Sequence, residues 1–148
     1  MGVVPLLFDA EGNPSVVLVR LYRPAVGREL LEVPAGMRDV DGEPPELTAA
    51  RELVEEVGLH PGRLELLAQV EPSSGITDAT TIVYLGTDLE PCDRDVHGPE
   101  ERHMTVVHLP FADALDAVER GEITDAKTVI GLLLTARRLE RGDVGAAR

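Results

Sequence analysis

The chain has 148 residues, and 27 Asp and Glu against 14 Lys and Arg leave a formal net charge of −13. That balance excludes a protein that holds a nucleic acid polymer by neutralising phosphates, which needs clustered Lys and Arg, and no apolar run approaches the roughly 20 residues of a membrane helix. A single domain of this length buries about two-thirds of its unfolded surface, enough for one core, and the single cysteine, Cys92, cannot form an internal disulfide and fits a reduced cytoplasmic setting.

In chain order, Val3 to Phe8 is a short apolar run, Asp9 to Pro14 reads as a turn, and Val16 to Tyr22 is strand-like, which together predict a hairpin. Nothing at the N-terminus reads as a charged-then-apolar export signal. Leu30 to Val33 is a short strand ending at Pro34. A helix is predicted from Pro44 to Val57, because Pro44 and Pro45 suit a first turn, no further Gly or Pro interrupts, and Gly58 suits a C-terminal cap. Arg63 to Gln69 and Thr80 to Leu85 read as strands, the second rich in Thr, Ile, Val and Tyr, and Met104 to Leu109 as another. Phe111 to Arg120 and Thr124 to Arg141 show helical spacing of apolar residues, with Leu115 and Val118 in the first and Val129, Ile130, Leu133 and Leu134 in the second. The expectation is one α/β domain over residues 1–148, helices packed on a mixed sheet, with a frayed tail after Gly142.

The predicted first helix carries the chemistry. Glu52 and Glu56 are i and i+4, with β-carbons about 6 Å apart on one face, and Glu55 lies one turn after Glu52. Like charges at that spacing destabilise a helix unless a cation sits between them. Mg²⁺ takes oxygen ligands, usually one or two carboxylates plus substrate phosphates. Arg51 can pair with Glu55 at i+4 and orient it. Taken alone, RELVEE reads equally well as a solvated charged face. A calcium loop at Asp39, Asp41 and Gly42 fails, because it lacks the third early ligand and the spacing of Gly and Glu that such a loop needs. The net charge of −13 would also repel an anionic diphosphate, so divalent cations at the glutamate cluster answer an electrostatic need.

The string GMRDVDGEPPELTAARELVEEVGL, Gly36 to Leu59, resembles the signature of the Nudix hydrolases. Glu43, Arg51, Glu52, Leu53, Glu55, Glu56, Gly58 and Leu59 fall in register with it, and one extra residue stands between Gly36 and Glu43. The resemblance implies an α/β/α sandwich with a mixed central sheet and a metal-assisted hydrolysis of a phosphoanhydride. It implies Mg²⁺ or Mn²⁺ held by Glu52 and Glu56, with Glu55 as a third carboxylate or a ligand through water, and the backbone carbonyl of Ala35 reaching the same ion. Gly36 is expected to let main chain approach the helix, although a turn glycine with no such role fits the spacing as well.

The preceding LYRPAVGRELLEVPAG, Leu21 to Gly36, and the later ITDAKTVIGLLL are similar to the branch that cleaves ADP-ribose and related nucleoside diphosphate sugars. That likeness implies a small-molecule nucleotide substrate bound by Arg23 and Arg28, since a guanidinium clamps phosphate or stacks on an adenine, with Glu32 supporting substrate or metal. It implies a general base on a loop far along the chain, for which Glu100 and Glu101 are the candidates, and a homodimer. Two departures from the branch stand at Ser74, where a proline is usual, and at Ala79, where an acidic residue follows Ser-Asp. Many relatives in the branch carry a preceding N-terminal domain, and this sequence is expected to start almost directly on the core hairpin. A nucleoside triphosphate or dinucleotide polyphosphate hydrolase, or a non-catalytic nucleotide-binding module, are the alternatives. The four histidines, His60, His97, His103 and His108, have no ligand spacing.

Overall fold

The computed structural model describes residues 1–38, 41–94 and 104–145. Its elements are β1 (Gly2–Phe8), β2 (Pro14–Arg23), β3 (Arg28–Glu32), α1 (Pro45–Val57), β4 (Leu59–Val70), β5 (Thr81–Pro91), β6 (Thr105–Pro110), α2 (Phe111–Glu119) and α3 (Ala126–Arg141). The strands form one six-stranded sheet in the order β3-β2-β1-β5-β4, with β6 paired to β2. Among the described residues only the β1–β5 pairing is parallel. The sheet is therefore mixed, as the sequence predicts.

Strand β2 organises the site. One of its edges carries β6 from Ser15 to Arg20, and the other carries β1 from Pro14 to Val16 and, further along, β3 from Val19 to Arg23. Between β1 and β3 the sheet splits, and the chain leaving β3 fills the gap: the Val3 amide donates to the Pro34 carbonyl at 3.0 Å, and Gly2 bridges Ala35. The Pro34–Ala35–Gly36 turn is thus held at the start of β1.

Side chains alternate across the sheet, and neighbouring valines divide between two cores. Val4, Leu6, Val16 and Leu18 face Phe111, Ala114, Ala117 and Leu132 of α2 and α3. Val3, Val17, Val19 and Leu21 face Ala49, Leu53 and Val57 of α1. This is the α/β/α sandwich. Leu53 is fully buried, and cutting such a side chain to alanine costs about 2 to 5 kcal/mol, depending on how far the site collapses.

Helix α1 ends where the sequence predicts: Gly58 takes the left-handed conformation at φ 66° and returns its amide to the last turn. Helix α3 starts two residues later than its apolar spacing suggests, because Asp125 caps it by accepting from the Thr128 amide at 3.0 Å. Strand β4 begins at Leu59, ahead of the expected Arg63, and runs through Pro61. A proline is tolerated there because β4 is the sheet edge and pairs only with β5. In the expected tail, Gly142 caps α3 and Val144 packs against the α2–α3 core. Among the described residues no helix is long and apolar enough to cross a membrane.

Candidate active site

The Pro34–Ala35–Gly36 turn lies directly against the glutamate face of α1. Glu52 and Glu56 are 8% and 7% exposed, so both carboxylates are buried where the turn meets the helix. The Ala35 amide donates to Oε2 of Glu56 at 2.8 Å. A β-carbon on Gly36 would fall on the Glu52 carboxylate, so with Glu52 in this position the backbone passes only as glycine. The structure thus favours the close-approach reading of Gly36 over that of a simple turn residue. The Met1 ammonium donates to the Gly36 carbonyl at 2.7 Å on the open side of the turn.

Arg51 sits among three carboxylates. Its Nη1 donates to both oxygens of Glu55 at 3.2 and 3.3 Å and lies 3.3 Å from Oε1 of Glu52, while Nη2 is 3.6 Å from Glu43. Burial alone would lower its pKa, but the charges of Glu52, Glu55 and Glu43 more than offset this and raise it. Thr48 donates to the Glu43 carboxylate and fixes the first turn of the helix. Tyr84 of β5 does the same for Glu46, its hydroxyl donating at 3.1 Å. Burial and that acceptor push the Tyr84 pKa up to about 12.

Could these residues hold a divalent ion? Among the described residues no group of three His, Cys, Asp or Glu converges as a metal site. What the structure provides is a buried carboxylate pair one helical turn apart, with main chain drawn against it by a glycine whose side chain would fill the space. Oxygen donors in that arrangement suit Mg²⁺ or Mn²⁺, which complete their shell with water and substrate phosphate. The residues fit such an ion. At Ala35 it is the amide that touches Glu56.

Beside the turn opens a cavity of about 520 Å³, lined by Gly36, Met37, Arg38, Gln69, Thr80 and Thr81 among others. Arg38 donates to the Glu43 carbonyl at 3.2 Å. The sequence does not single out these lining residues, because Gln69 and Thr80 come together only once β4 and β5 pair.

Arg23 and Arg28 stand opposite one another across the β2–β3 hairpin, a like-charge pairing that would be unfavourable without partners. Each has one. Arg23 forms a two-pronged ion pair with Glu32, Nε to Oε1 at 2.8 Å and Nη2 to Oε2 at 3.0 Å. Arg28 donates to the Thr124 hydroxyl at 2.8 Å. Glu32 is 2% exposed and receives a second cation, the Lys127 ammonium, on Oε2. Lys127 escaped the sequence reading, although its place just after the Asp125 cap marks it as the first turn of α3. Glu100 and Glu101, the candidate bases, lie outside the described residues, as do His97 and His103.

An α/β/α sandwich with a glutamate-bearing helix under a glycine turn defines a class of hydrolase fold, and comparison with known proteins agrees. A NUDIX domain matches residues 1–130, and the chain belongs to the Nudix family, whose members generally use divalent metal ions. It is 42% identical over 123 residues to an ADP-ribose pyrophosphatase of Mycobacterium tuberculosis, covering 83% of this chain and 59% of that protein. A second ADP-ribose pyrophosphatase, from Bacillus subtilis, is 32% identical over 131 residues, 88% of this chain and 69% of that one. Among solved structures, a crystal structure of an ADP compounds hydrolase superposes with a TM-score of 0.81 at 26% identity, covering 97% of this chain and 74% of the other.

Proposed function

We propose that the protein hydrolyses the diphosphate bond of a nucleoside diphosphate sugar, ADP-ribose first, releasing AMP and ribose 5-phosphate. The observation that carries this reading is the burial of Glu52 and Glu56 beneath the Ala35–Gly36 turn. The likeness to two ADP-ribose pyrophosphatases supports the choice of substrate.

In this reading Glu52 and Glu56, with main chain at Ala35 and Glu55 directly or through water, hold Mg²⁺ or Mn²⁺. A bound divalent ion supplies charge neutralisation on the diphosphate and a more acidic water. Arg51 keeps the carboxylates apart and oriented. Arg23 and Arg28 bind the anionic substrate, and Glu32 backs Arg23. Glu100 or Glu101 accepts the proton of the attacking water as its oxygen bonds to phosphorus and the anhydride P–O bond breaks. The same reading places the protein in the cytoplasm as a homodimer, on the strength of the family likeness and the single exposed thiol of Cys92.

The test is a turnover screen of ADP-ribose, other nucleotide sugars, nucleoside triphosphates and dinucleotide polyphosphates with Mg²⁺ and with Mn²⁺. ADP-ribose is expected to show the highest kcat/KM. A higher value for a triphosphate would overturn the substrate class, and nucleotide binding without turnover on anything would make the protein a binding module.

A further inference from the structure

We propose that Lys127 is a positioning residue for substrate binding, acting through the buried Glu32 carboxylate on the Arg23 guanidinium. The inference rests on the reading of Arg23 as a contact for a nucleoside diphosphate.

Three charged side chains meet at this point from three elements. Glu32 closes β3, Arg23 closes β2, and Lys127 opens α3, 95 residues along the chain from Glu32. Oε1 of Glu32 accepts from Arg23 alone of the two cations, whereas Oε2 accepts from both Arg23 and Lys127. The ammonium also donates to Oδ2 of Asp125 at 3.0 Å. Lys127 has little room to move. Asp125 caps the helix through the Thr128 amide, and the Thr128 hydroxyl accepts from the Val33 amide at 2.9 Å, which ties the first turn of α3 to the residue next to Glu32.

The consequence is one of position. A guanidinium paired through two nitrogens takes its plane from the carboxylate that holds it, so whatever fixes Glu32 fixes Arg23. Lys127 is shared between Glu32 and Asp125, so two cations are set against two carboxylates, and Arg23 is the more exposed cation, at 37% against 16%, the one that an anionic substrate can reach.

A purely structural ion pair would leave KM unchanged, so the test is kinetic. ADP-ribose hydrolysis would be followed for Lys127→Met, Lys127→Arg, Arg23→Ala and the double variant Arg23→Ala/Lys127→Met, with circular dichroism and melting curves to establish folding. Lys127→Met is expected to raise KM about tenfold with little change in kcat, the size of one weakened charged contact made equally in ground and transition states. Lys127→Arg should recover most of the loss. In the Arg23→Ala background, Lys127→Met should add nothing to KM, since the path runs through Arg23. If Lys127→Met fails to fold, Lys127→Gln, whose shorter neutral side chain no longer spans to Glu32 as the ammonium does, should show the same rise. A fall in kcat at constant KM, a full additional loss in the double variant, or an unchanged KM would overturn the proposal. A parent protein that cleaves no nucleoside diphosphate sugar would remove the substrate reading and this inference together, whereas an active parent with these contrary variants would remove the inference alone.

Discussion

The backbone of Gly36 passes so close to the carboxylate of Glu52 that a β-carbon at residue 36 would overlap it, and Glu52 keeps its present position only because residue 36 has no side chain. The turn and the helix come from separate stretches of chain, and this contact fixes their distance. Gly36→Ala should therefore push the Ala35 main chain off Glu56, or turn Glu52 out of its place. A displacement of about 1 Å at a reacting site can cost roughly a hundredfold in rate. The expected outcome is a folded protein with kcat/KM down by about that factor, read by steady-state kinetics alongside circular dichroism. Near-parental activity would mean that the turn and Glu52 can separate without consequence.

Glu56→Gln tests the other half of the contact. The amide side chain still has an oxygen to accept from the Ala35 amide, so the turn should stay in place. What is lost is a negative charge at the proposed clamp on a charged transition state. Activity should fall at least about a hundredfold at saturating Mg²⁺, with the melting temperature close to that of the parent. Retention of activity to within a few-fold would take Glu56 out of the site.

How much of this was written in the sequence depends on whether a residue's partner is near it in the chain. Glu52, Glu55, Glu56 and Arg51 share one helix, so their spacing revealed their face, and Pro45 and Gly58 marked its ends. The strands were found where alternation and β-branched residues were dense. The strand expected from Arg63 starts earlier, at Leu59, and the position of β4 at the sheet edge is what lets Pro61 be a strand residue. Lys127 could not be found this way. A lone lysine in a helix carries no pattern, and its partner Glu32 is 95 residues distant. The cavity beside the turn was equally hidden, since Gln69 lies on β4 and Thr80 just ahead of β5, with a turn between them.

The Glu32 cluster should show in the acid stability of the protein. Burial pushes the Glu32 carboxyl up, but hydrogen bonds from Arg23 and Lys127 and their positive charge more than offset it, leaving the pKa below its ordinary 4.5. A carboxylate depressed by folding stabilises the native state above its unfolded pKa and loses that contribution as pH falls through the folded value. The contribution is thus complete at neutral pH and fades below about 4.5. Calorimetric melting of the parent and Glu32→Gln from neutrality down into this acid range should give a lower Tm for the variant at pH 7 and a shallower acid loss. Parallel curves would show that Glu32 titrates alike in the folded and unfolded chains.

The candidate bases are tested by substitution, one at a time. Glu100→Gln or Glu101→Gln should lower kcat by roughly 10² to 10⁴ with little change in KM for one of the two, because a general base acts on the attacking water and not on the bound nucleotide. If both variants keep full kcat, the proton goes elsewhere, and Glu55, held by Arg51 within the described site, becomes the residue to test next.

The two arginines should separate by substrate. Arg23 is locked to a buried carboxylate, while Arg28, at an exposed position, donates to the Thr124 hydroxyl and pairs with no carboxylate among the described residues. A pre-oriented guanidinium loses less entropy on binding, so Arg23→Ala should raise KM for ADP-ribose more than Arg28→Ala. The loss of one charged hydrogen-bonding partner is worth about 1.5 to 3 kcal/mol, or roughly 10-fold to 150-fold in affinity. If kcat holds while KM rises, the contact is made equally in ground and transition states. Inorganic diphosphate, which lacks the nucleoside, should be affected much less as a competitive inhibitor. Equal losses for both molecules, or none for ADP-ribose, would assign both arginines to the fold and leave the substrate to be sought through the cavity beside Gly36.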